Sequence, residues 1–569
     1  MRDYLVILLA SIGLFLPSAA LADDLFPPST ALADDKSWDV LIINARIVDG
    51  SGSPWFRGSV AISGDKIAWV GSGAPDLTRA REVVDAHDKI VSPGFIDFMG
   101  QNSLVYLTNP PSALSRLTQG ITVHVSGEGD SAAPQNDVTQ PDPVLIDGKG
   151  YRWRTFAEYF KILESHGLPL NVAHNVGASQ VRAVVMGETD RTPTQAEMEA
   201  MKRLVDEAMR DGAAGLSTAL IYPPGIFQSQ EEIIALAKVV RPYGGIYSTH
   251  MRNESDKLLE AIDEAIAIGQ EAGVPVEIYH LKAAGIGNWP LMEKAIARIA
   301  AARIAGVDVT ADMYPYIRNG LGLEHFIPAR YYAVGRQEFL SSLADPSLRK
   351  TLKTVIETDQ GWENWYHHVG NDWSKVQIID EARGKDIAGL SITEAARRRG
   401  KDVWTFVFDA IQAGGVEVAP LTMNEEQQHL KLTSPFIMFN TDTPPASPEV
   451  DGRGTHPRTY GTMPRVLAKY VREEKILTLE DAVRRMTSAA ANRIGMFDRG
   501  RIGAGYAADI VLFDADTIQD HADFRDPAQY STGVERVWVN GVLVLKDGAM
   551  TGKLPGKALR LNAVKRVEK

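Results

Sequence analysis

The chain of 569 residues contains no cysteine. That absence excludes disulfides, any thiolate metal ligand and a lipid anchor on an N-terminal cysteine. It suits an oxidising compartment, where a stray thiol is a liability. Positive charge is also in short supply: 60 Lys and Arg against 72 Asp and Glu leave a formal net charge of -12, which argues against the broad basic face of a nucleic-acid binder. Only Lys557 to Lys569 is basic, and it reads as a solvated tail. No apolar stretch near 18 residues follows the N-terminal region, so no membrane partner is expected after signal removal. Internal repeats and low-complexity tracts are missing as well.

What is present is ordinary material for a globular core, 44% hydrophobic and 23% charged. The length calls for one large domain and a smaller one. Arg2, the apolar run Tyr4 to Leu16, Pro17 and then Ala20-Leu21-Ala22 form a secretory signal with cleavage expected after Ala22. The protein is therefore expected to be exported, periplasmic or secreted, with residues 23–37 as linker. From Trp38 onward, runs such as Val40-Leu41-Ile42-Ile43 and Val60-Ala61-Ile62 alternate with tight turns at Asp49-Gly50 and Gly64-Asp65. Asp509 to Phe513 and Val534 to Leu545, with Asn540-Gly541 between, repeat that character at the other end. Residues 38–92 and 496–569 are thus expected to build one small β-sandwich domain together.

Between them β-branched runs alternate with helical patterns, the mark of βαβ units and an α/β fold. Eight such runs are countable: Ile90 to Gly100, Ile121 to Glu128, Leu170 to Gly177, Ala214 to Ile221, Gly245 to Met251, Val276 to Lys282, Asp308 to Tyr316 and Ser434 to Asp442. Eight is the number that closes a (β/α)8 TIM barrel, expected over 93–495. Asn253 to Gly273 illustrates its helices: Ser255 can cap, Leu258, Ile262, Ala265 and Gly269 share a face, and Gly273 stops it. An insertion of 117 residues, 317–433, separates runs seven and eight and must fold on itself or cover something. Its Trp362 to His368 stretch reads as a local hydrophobic cluster or a substrate mouth.

In such a barrel the chemistry collects at the C-terminal strand ends. Run two ends in Gly127-Glu128-Gly129, run five at His250, run six in His280-Leu281-Lys282 and run eight at Asp442. A lone strand histidine is ordinarily a core residue, and Gly-Glu-Gly can be a plain exposed turn. Two histidines ending adjacent runs, with acids ending two others, point instead to a metal site. Glu128, His250 and His280 would supply three ligands and leave a position for water, the pattern of catalytic zinc. Asp442 would accept the water's proton and return it to the leaving nitrogen. Lys282 and the Tyr314 hydroxyl could meet a substrate carboxylate. His456 and Arg458, just after run eight, shape a pocket or cap a loop; His124 and His174, inside runs two and three, serve core packing or a pocket hydrogen bond rather than a metal.

These residues sit in longer motifs: Gly215-Leu216-Ser217-Thr218 with Leu220-Ile221-Tyr222, Thr249-His250-Met251-Arg252-Asn253-Glu254, His280-Leu281-Lys282, Tyr314-Pro315-Tyr316 and Gly454-Thr455-His456-Pro457-Arg458. On them the chain resembles the D-aminoacylases, or N-acyl-D-amino-acid deacylases, of the amidohydrolase superfamily, across nearly all of its length after the signal. The resemblance implies a barrel with a small β-domain from both termini, His250 and His280 as zinc ligands, Asp442 as the catalytic aspartate, and Lys282 and Tyr314 on the substrate carboxylate. Tyr222, His456 and Arg458 are counted with them as substrate-binding candidates. Family members carry a cysteine ligand on strand two, and Glu128 stands in that place here. The superfamily also expects His-x-His after Gly94-Phe95-Ile96-Asp97, where this chain has Met99 and Gln101. Neither is a good zinc ligand, so a single Zn2+ is expected. The expected activity is hydrolysis of an amide next to a carboxylate, with N-acyl-D-amino acids or small peptides as substrates. Two other readings stay open at this point: a hydrolase of another small amide, ester or lactam, and a barrel that binds without catalysis.

Overall fold

The computed structural model describes residues 38–380, 384–451 and 455–561. The expected signal and linker, Gly454 and the end of the basic tail lie outside the described residues.

The alternating apolar runs at the two ends form strands of one hydrogen-bonded, nine-stranded sheet. Trp38–Ile47 pairs antiparallel with Phe56–Ser63, and Ile510–Phe513 docks antiparallel on Ile90–Pro93. Asn540 and Gly541, at φ 47° and 79°, take the left-handed backbone that a two-residue hairpin turn requires. Ile42, Ile47, Val60, Ile62, Val91, Ile510, Leu512 and Trp538 form a shared core, so strands far apart in sequence bury one another.

All eight β-branched runs contain strands. Phe95–Asp97, Ile121–Ser126 and Asn171–His174 make a three-stranded parallel sheet. Val176–Gly177, Gly215–Ala219, Ile246–His250, Val276–Ile278, Val309–Met313 and Ile437–Phe439 make a six-stranded one. Run three bridges the two, breaking at Asn175, whose N–H goes to the Ser126 carbonyl. Nearly every residue of these strands is buried, as expected of parallel strands covered on both faces. Between Ile437–Phe439 and Phe95–Asp97 the described residues have no ladder. A backbone bond from Asp442 N–H to the Met99 carbonyl at 2.9 Å joins the chain just past them. The fold is thus mixed α/β, with parallel sheets flanked by helices and an added mixed sheet.

Two expectations change. Run one is two strands in different sheets, divided at Gly94, where a Cβ would stand 2.0 Å from Thr122 Oγ1. The helix expected after Ser255 begins at Leu258. Asn253 Oδ1 accepts from the Ser255 and Lys257 N–H groups and holds the intervening residues in a turn. Gly273 does stop that helix, at φ 68°.

The insertion has its own core. Leu321–Gly322 and Val376–Ile378 flank Glu417–Pro420 in an antiparallel sheet. Phe326, Trp365, Tyr366, Trp373, Phe406 and Phe408 pack with it, each buried ring contributing on the order of 2 kcal/mol relative to exposure.

Candidate metal-binding active site

Glu128 is held by close backbone approach, and the Gly-Glu-Gly stretch is not an exposed turn. A Cβ on Gly127 would lie 2.4 Å from the Asn175 carbonyl oxygen, and one on Gly129 would lie 2.5 Å from Ala219 Cβ. Only glycine fits at either place, and the glutamate between them is turned inward with 11% of its side chain exposed. His250 is the last residue of its strand. His280 leaves its strand at φ 36°, its N–H fixed by the Asp312 carboxylate. Asp442 has φ 48°, and its neighbour Thr441 is tied through both N–H and hydroxyl to Asp97, which Arg116 faces at 3.3 Å. Left-handed backbone at non-glycine residues costs energy and is concentrated at functional sites.

Glu128 Oε1 lies 3.0 Å from His250 Nδ1 and 2.8 Å from His280 Nε2, and one ligand atom from each residue lies within 4.8 Å of the others. Two imidazole nitrogens and a carboxylate oxygen are a donor set that zinc accepts. Met99 packs its side chain into the core beneath the site, and Gln101 adds a carboxamide, so run one adds no good zinc ligand.

Behind the histidines stands Glu254, 1% exposed. Its Oε1 lies 3.0 Å from His280 Nδ1 and its Oε2 lies 3.4 Å from His250 Nε2. One carboxylate therefore faces the outward nitrogens of both rings, the arrangement that orients metal-binding histidines. Glu254 also takes a 2.6 Å hydrogen bond from Lys282 Nζ. Burial pushes the Glu128 carboxyl up, but the hydrogen bonds to His250 and His280 outweigh it and hold the group well below the carboxylate range. For His280, burial and Lys282 push the imidazole down, while Glu254, Asp442 and Glu128 together carry it up to about 10. A ring among that many carboxylates is a place built for positive charge.

Asp442 lies across the site. Its Oδ2 pairs with Arg458 Nη1 at 2.8 Å and its Oδ1 accepts from Gln101 Nε2 at 3.0 Å. The Arg458 guanidinium carbon lies over Tyr314, 4.4 Å from the ring centre. The Tyr314 hydroxyl is buried without a hydrogen-bond partner, and burial pushes it up to about 12, so it stays a donor. Tyr222 meets His250 edge-on at 5.4 Å. His456 is neutral, since burial and Arg458 push it well below its usual range; Nδ1 accepts from Arg458 N–H and Nε2 donates to the Arg318 carbonyl.

All nine residues singled out from sequence line one cavity of about 470 Å³. Sequence reasoning missed Glu254 as a brace, the contacts of Gln101, and the wall that the insertion supplies through Leu321, Ile379 and Glu417. The Thr-His-Met-Arg-Asn-Glu motif held the signal for Glu254, four residues past His250. Trp365 serves both the insertion core and the cavity, joining the two alternatives for its stretch. His124 and His174 are buried, bonded to Tyr106 and Ser103, and burial lowers both.

The amidohydrolase family model matches residues 431–545, the stretch that carries Asp442, His456 and Arg458. D-aminoacylase of Alcaligenes xylosoxydans xylosoxydans is 34% identical over 92% of this chain and 98% of its own. A solved D-aminoacylase, described by its binuclear metal centre with one-metal activation and second-metal attenuation, aligns at TM-score 0.75 and 31% identity, covering 92% of this chain and all of that one. N-acyl-D-glutamate deacylase from Bordetella bronchiseptica, solved with zinc and a phosphonate mimic of the tetrahedral intermediate, aligns at TM-score 0.75 and 30% identity with the same coverage. The chain belongs to the D-aminoacylase family of amidohydrolases.

Proposed function

We propose that this chain hydrolyses N-acyl-D-amino acids to a carboxylate and a free D-amino acid, with one zinc ion held by Glu128, His250 and His280. The observation that carries the reading is the convergence of those three donors in a cavity that Asp442, Arg458, Lys282 and Tyr314 also line. When bound, zinc polarises the acyl carbonyl and lowers the pKa of water. Lys282 and the free Tyr314 hydroxyl receive the substrate carboxylate and fix the scissile amide between the histidines and Asp442. Asp442 removes a proton from the attacking water as its oxygen bonds to the acyl carbon. It then delivers that proton to the nitrogen as the carbon–nitrogen bond breaks. Arg458 and Gln101 keep its carboxylate aimed inward. Tyr222, His456 and the insertion wall narrow the cavity, and the insertion gives the active-site mouth a folded cover.

In the same reading the two parallel sheets are arcs of one (β/α)8 barrel over 93–495, closed between runs one and eight by the Asp442–Met99 bond and the Asp97–Thr441 clasp. The nine-stranded sheet, whose strands fall between Trp38 and Pro93 and between Ile510 and Met550, is the small β-domain proposed for 38–92 with 496–569. Export with cleavage after Ala22 places the reaction outside the cytoplasm, which N-terminal sequencing of the mature protein tests.

The deciding experiment is a panel of paired D and L N-acetyl amino acids with metal analysis of the purified protein. Turnover of the D forms with zinc bound is expected, and His280→Ala loses both. Equal turnover of the two enantiomers, or none, refutes the deacylase reading.

A further inference from the structure

Gln101 stands at the end of run one, and its surroundings are built to present it. Its backbone is left-handed at φ 63°. Its carbonyl is held by His124 Nε2 at 3.2 Å, and His124 Nδ1 is fixed by the Tyr106 hydroxyl at 2.8 Å. The preceding Gly100 has no room for a side chain, since a Cβ would lie 2.5 Å from His124 Cε1. The backbone angle and the His124 ring, which meets both Gly100 and the Gln101 carbonyl, therefore fix how this residue is presented.

The carboxamide nitrogen donates to Glu128 Oε2 at 2.6 Å and to Asp442 Oδ1 at 3.0 Å. An amide nitrogen has two hydrogens, and both are used. Its orientation is settled by these partners, because the amide oxygen turned this way would face two carboxylates. The other oxygen of each carboxylate is already engaged, Glu128 Oε1 by the two histidines and Asp442 Oδ2 by Arg458. A cation shared by Glu128 and Asp442 would need the two oxygens that Gln101 occupies.

We infer that Gln101 is a neutral stand-in for a second metal ion: a positioning residue that clamps Glu128 to Asp442 and denies a further cation the space between them. The inference rests on the one-zinc reading above. It goes beyond that reading in assigning a cause. The chain is limited to one ion because a donor side chain fills the gap, and for the same reason excess zinc does not slow it. Met99 alone would not have that effect, since its side chain points into the core.

The test is equilibrium dialysis of metal-free full-length protein against rising zinc, with metal counted by mass spectrometry and N-acetyl-D-leucine turnover measured on the same samples. Wild type is expected to bind one equivalent and to keep kcat constant up to about ten equivalents of zinc. Gln101→His is expected to take up a second equivalent, with kcat falling at least about tenfold as it fills. Adding Asp442→Asn to that variant abolishes the second equivalent, which separates the site from surface binding. Gln101→Ala retains the first equivalent and its near-ultraviolet circular dichroism, and loses kcat with little change in KM. A second equivalent in wild type that Asp442→Asn removes overturns the inference, as does a Gln101→Ala enzyme with wild-type kcat and metal response. Failure of the deacylase reading looks different: no N-acetyl-D-amino acid is turned over, while the stoichiometry of wild type and Gln101→His still decides whether Gln101 excludes the ion.

Discussion

Exchange of Glu254 for glutamine tests the brace behind the two histidines. Glu254 and Lys282 are 1% and 2% exposed and meet at 2.6 Å, so the substitution leaves a lysine charge in the interior with its counter-charge removed. Breaking a buried pair from one side costs on the order of 3–5 kcal/mol. Glutamine keeps the shape and one acceptor, which reduces the expected loss to about 2–4 kcal/mol. At roughly 2 °C per kcal/mol for a large domain, thermal unfolding of the metal-free protein should move down by about 4–8 °C. Glu254 also faces both histidines, so zinc affinity should fall about 10–100-fold, as when an orienting partner is lost. Denaturation and competition with a chelator measure the two effects separately. Glu254→Gln combined with Lys282→Met should recover most of the stability but not the metal affinity, because the stranded charge is gone while the histidines remain unbraced. A single variant with unchanged unfolding and unchanged zinc retention would falsify this account, and so would a double variant whose losses simply add.

Zinc affinity should rise with pH: His280 is pushed up to about 10 in the metal-free site, the ion requires the neutral ring, and binding therefore releases a proton. Chelator competition at about pH 6.5 and 7.5 should differ by close to tenfold, and equal affinities would contradict the assignment. Glu363, in the insertion, is raised to about 8 by burial and then by the charge of Glu254. Between its ordinary value of 4.5 and about 8 the folded chain keeps a proton that the unfolded chain gives up, so this group's stabilisation is complete below about 4.5 and is lost as pH rises to about 8. Glu363→Gln should therefore flatten the fall in melting temperature from about pH 5 to 8, removing roughly 1–3 kcal/mol of pH dependence; an unchanged slope would rule the mechanism out. The cavity also predicts side-chain preference. In the proposed pose Lys282 is taken by the substrate's α-carboxylate, Arg458 pairs with Asp442, and the insertion wall presents Glu417, so kcat/KM for N-acetyl-D-glutamate should be at least about tenfold below that for N-acetyl-D-leucine. Glu417→Lys should narrow that gap, and acidic substrates preferred by wild type would overturn the argument.

Much of this architecture is legible in the sequence. The periodicity of eight β-branched runs and the Asn540-Gly541 turn are local signals, and local signals survive folding. That His250, His280 and Asp442 share one cavity follows from their places at strand ends, where such a fold collects polar groups whatever the intervening helices do. The break at Gly94 was not readable, since it depends on Thr122 lying against it from the next strand. Nor was the late start of the helix at Leu258, because Ser255 is a good cap in isolation and loses only to the Asn253 turn. Glu254 lies in the Thr249 to Glu254 motif, but sequence cannot say that two rings from different strands turn their outer nitrogens toward the same carboxylate.

The substitution at run one shows where sequence and structure divide the work. From sequence, Met99 and Gln101 read as a loss, two ligands replaced by residues that hold zinc poorly. In three dimensions the two positions have separate fates. Met99 has gone to the core, while its carbonyl receives Asp442 N–H; Gln101 stays in the site and spans the carboxylates. Two acids facing each other with nothing between them would repel, and an ion or a donor must lie there to keep Asp442 usable as a base. The amide meets that need without adding charge, which fits the proposal of a single cation at Glu128, His250 and His280. The departure from the family pattern is therefore better understood as a change in what holds Asp442 than as a defect in the metal centre, and that is why the binding-only alternative loses its main support.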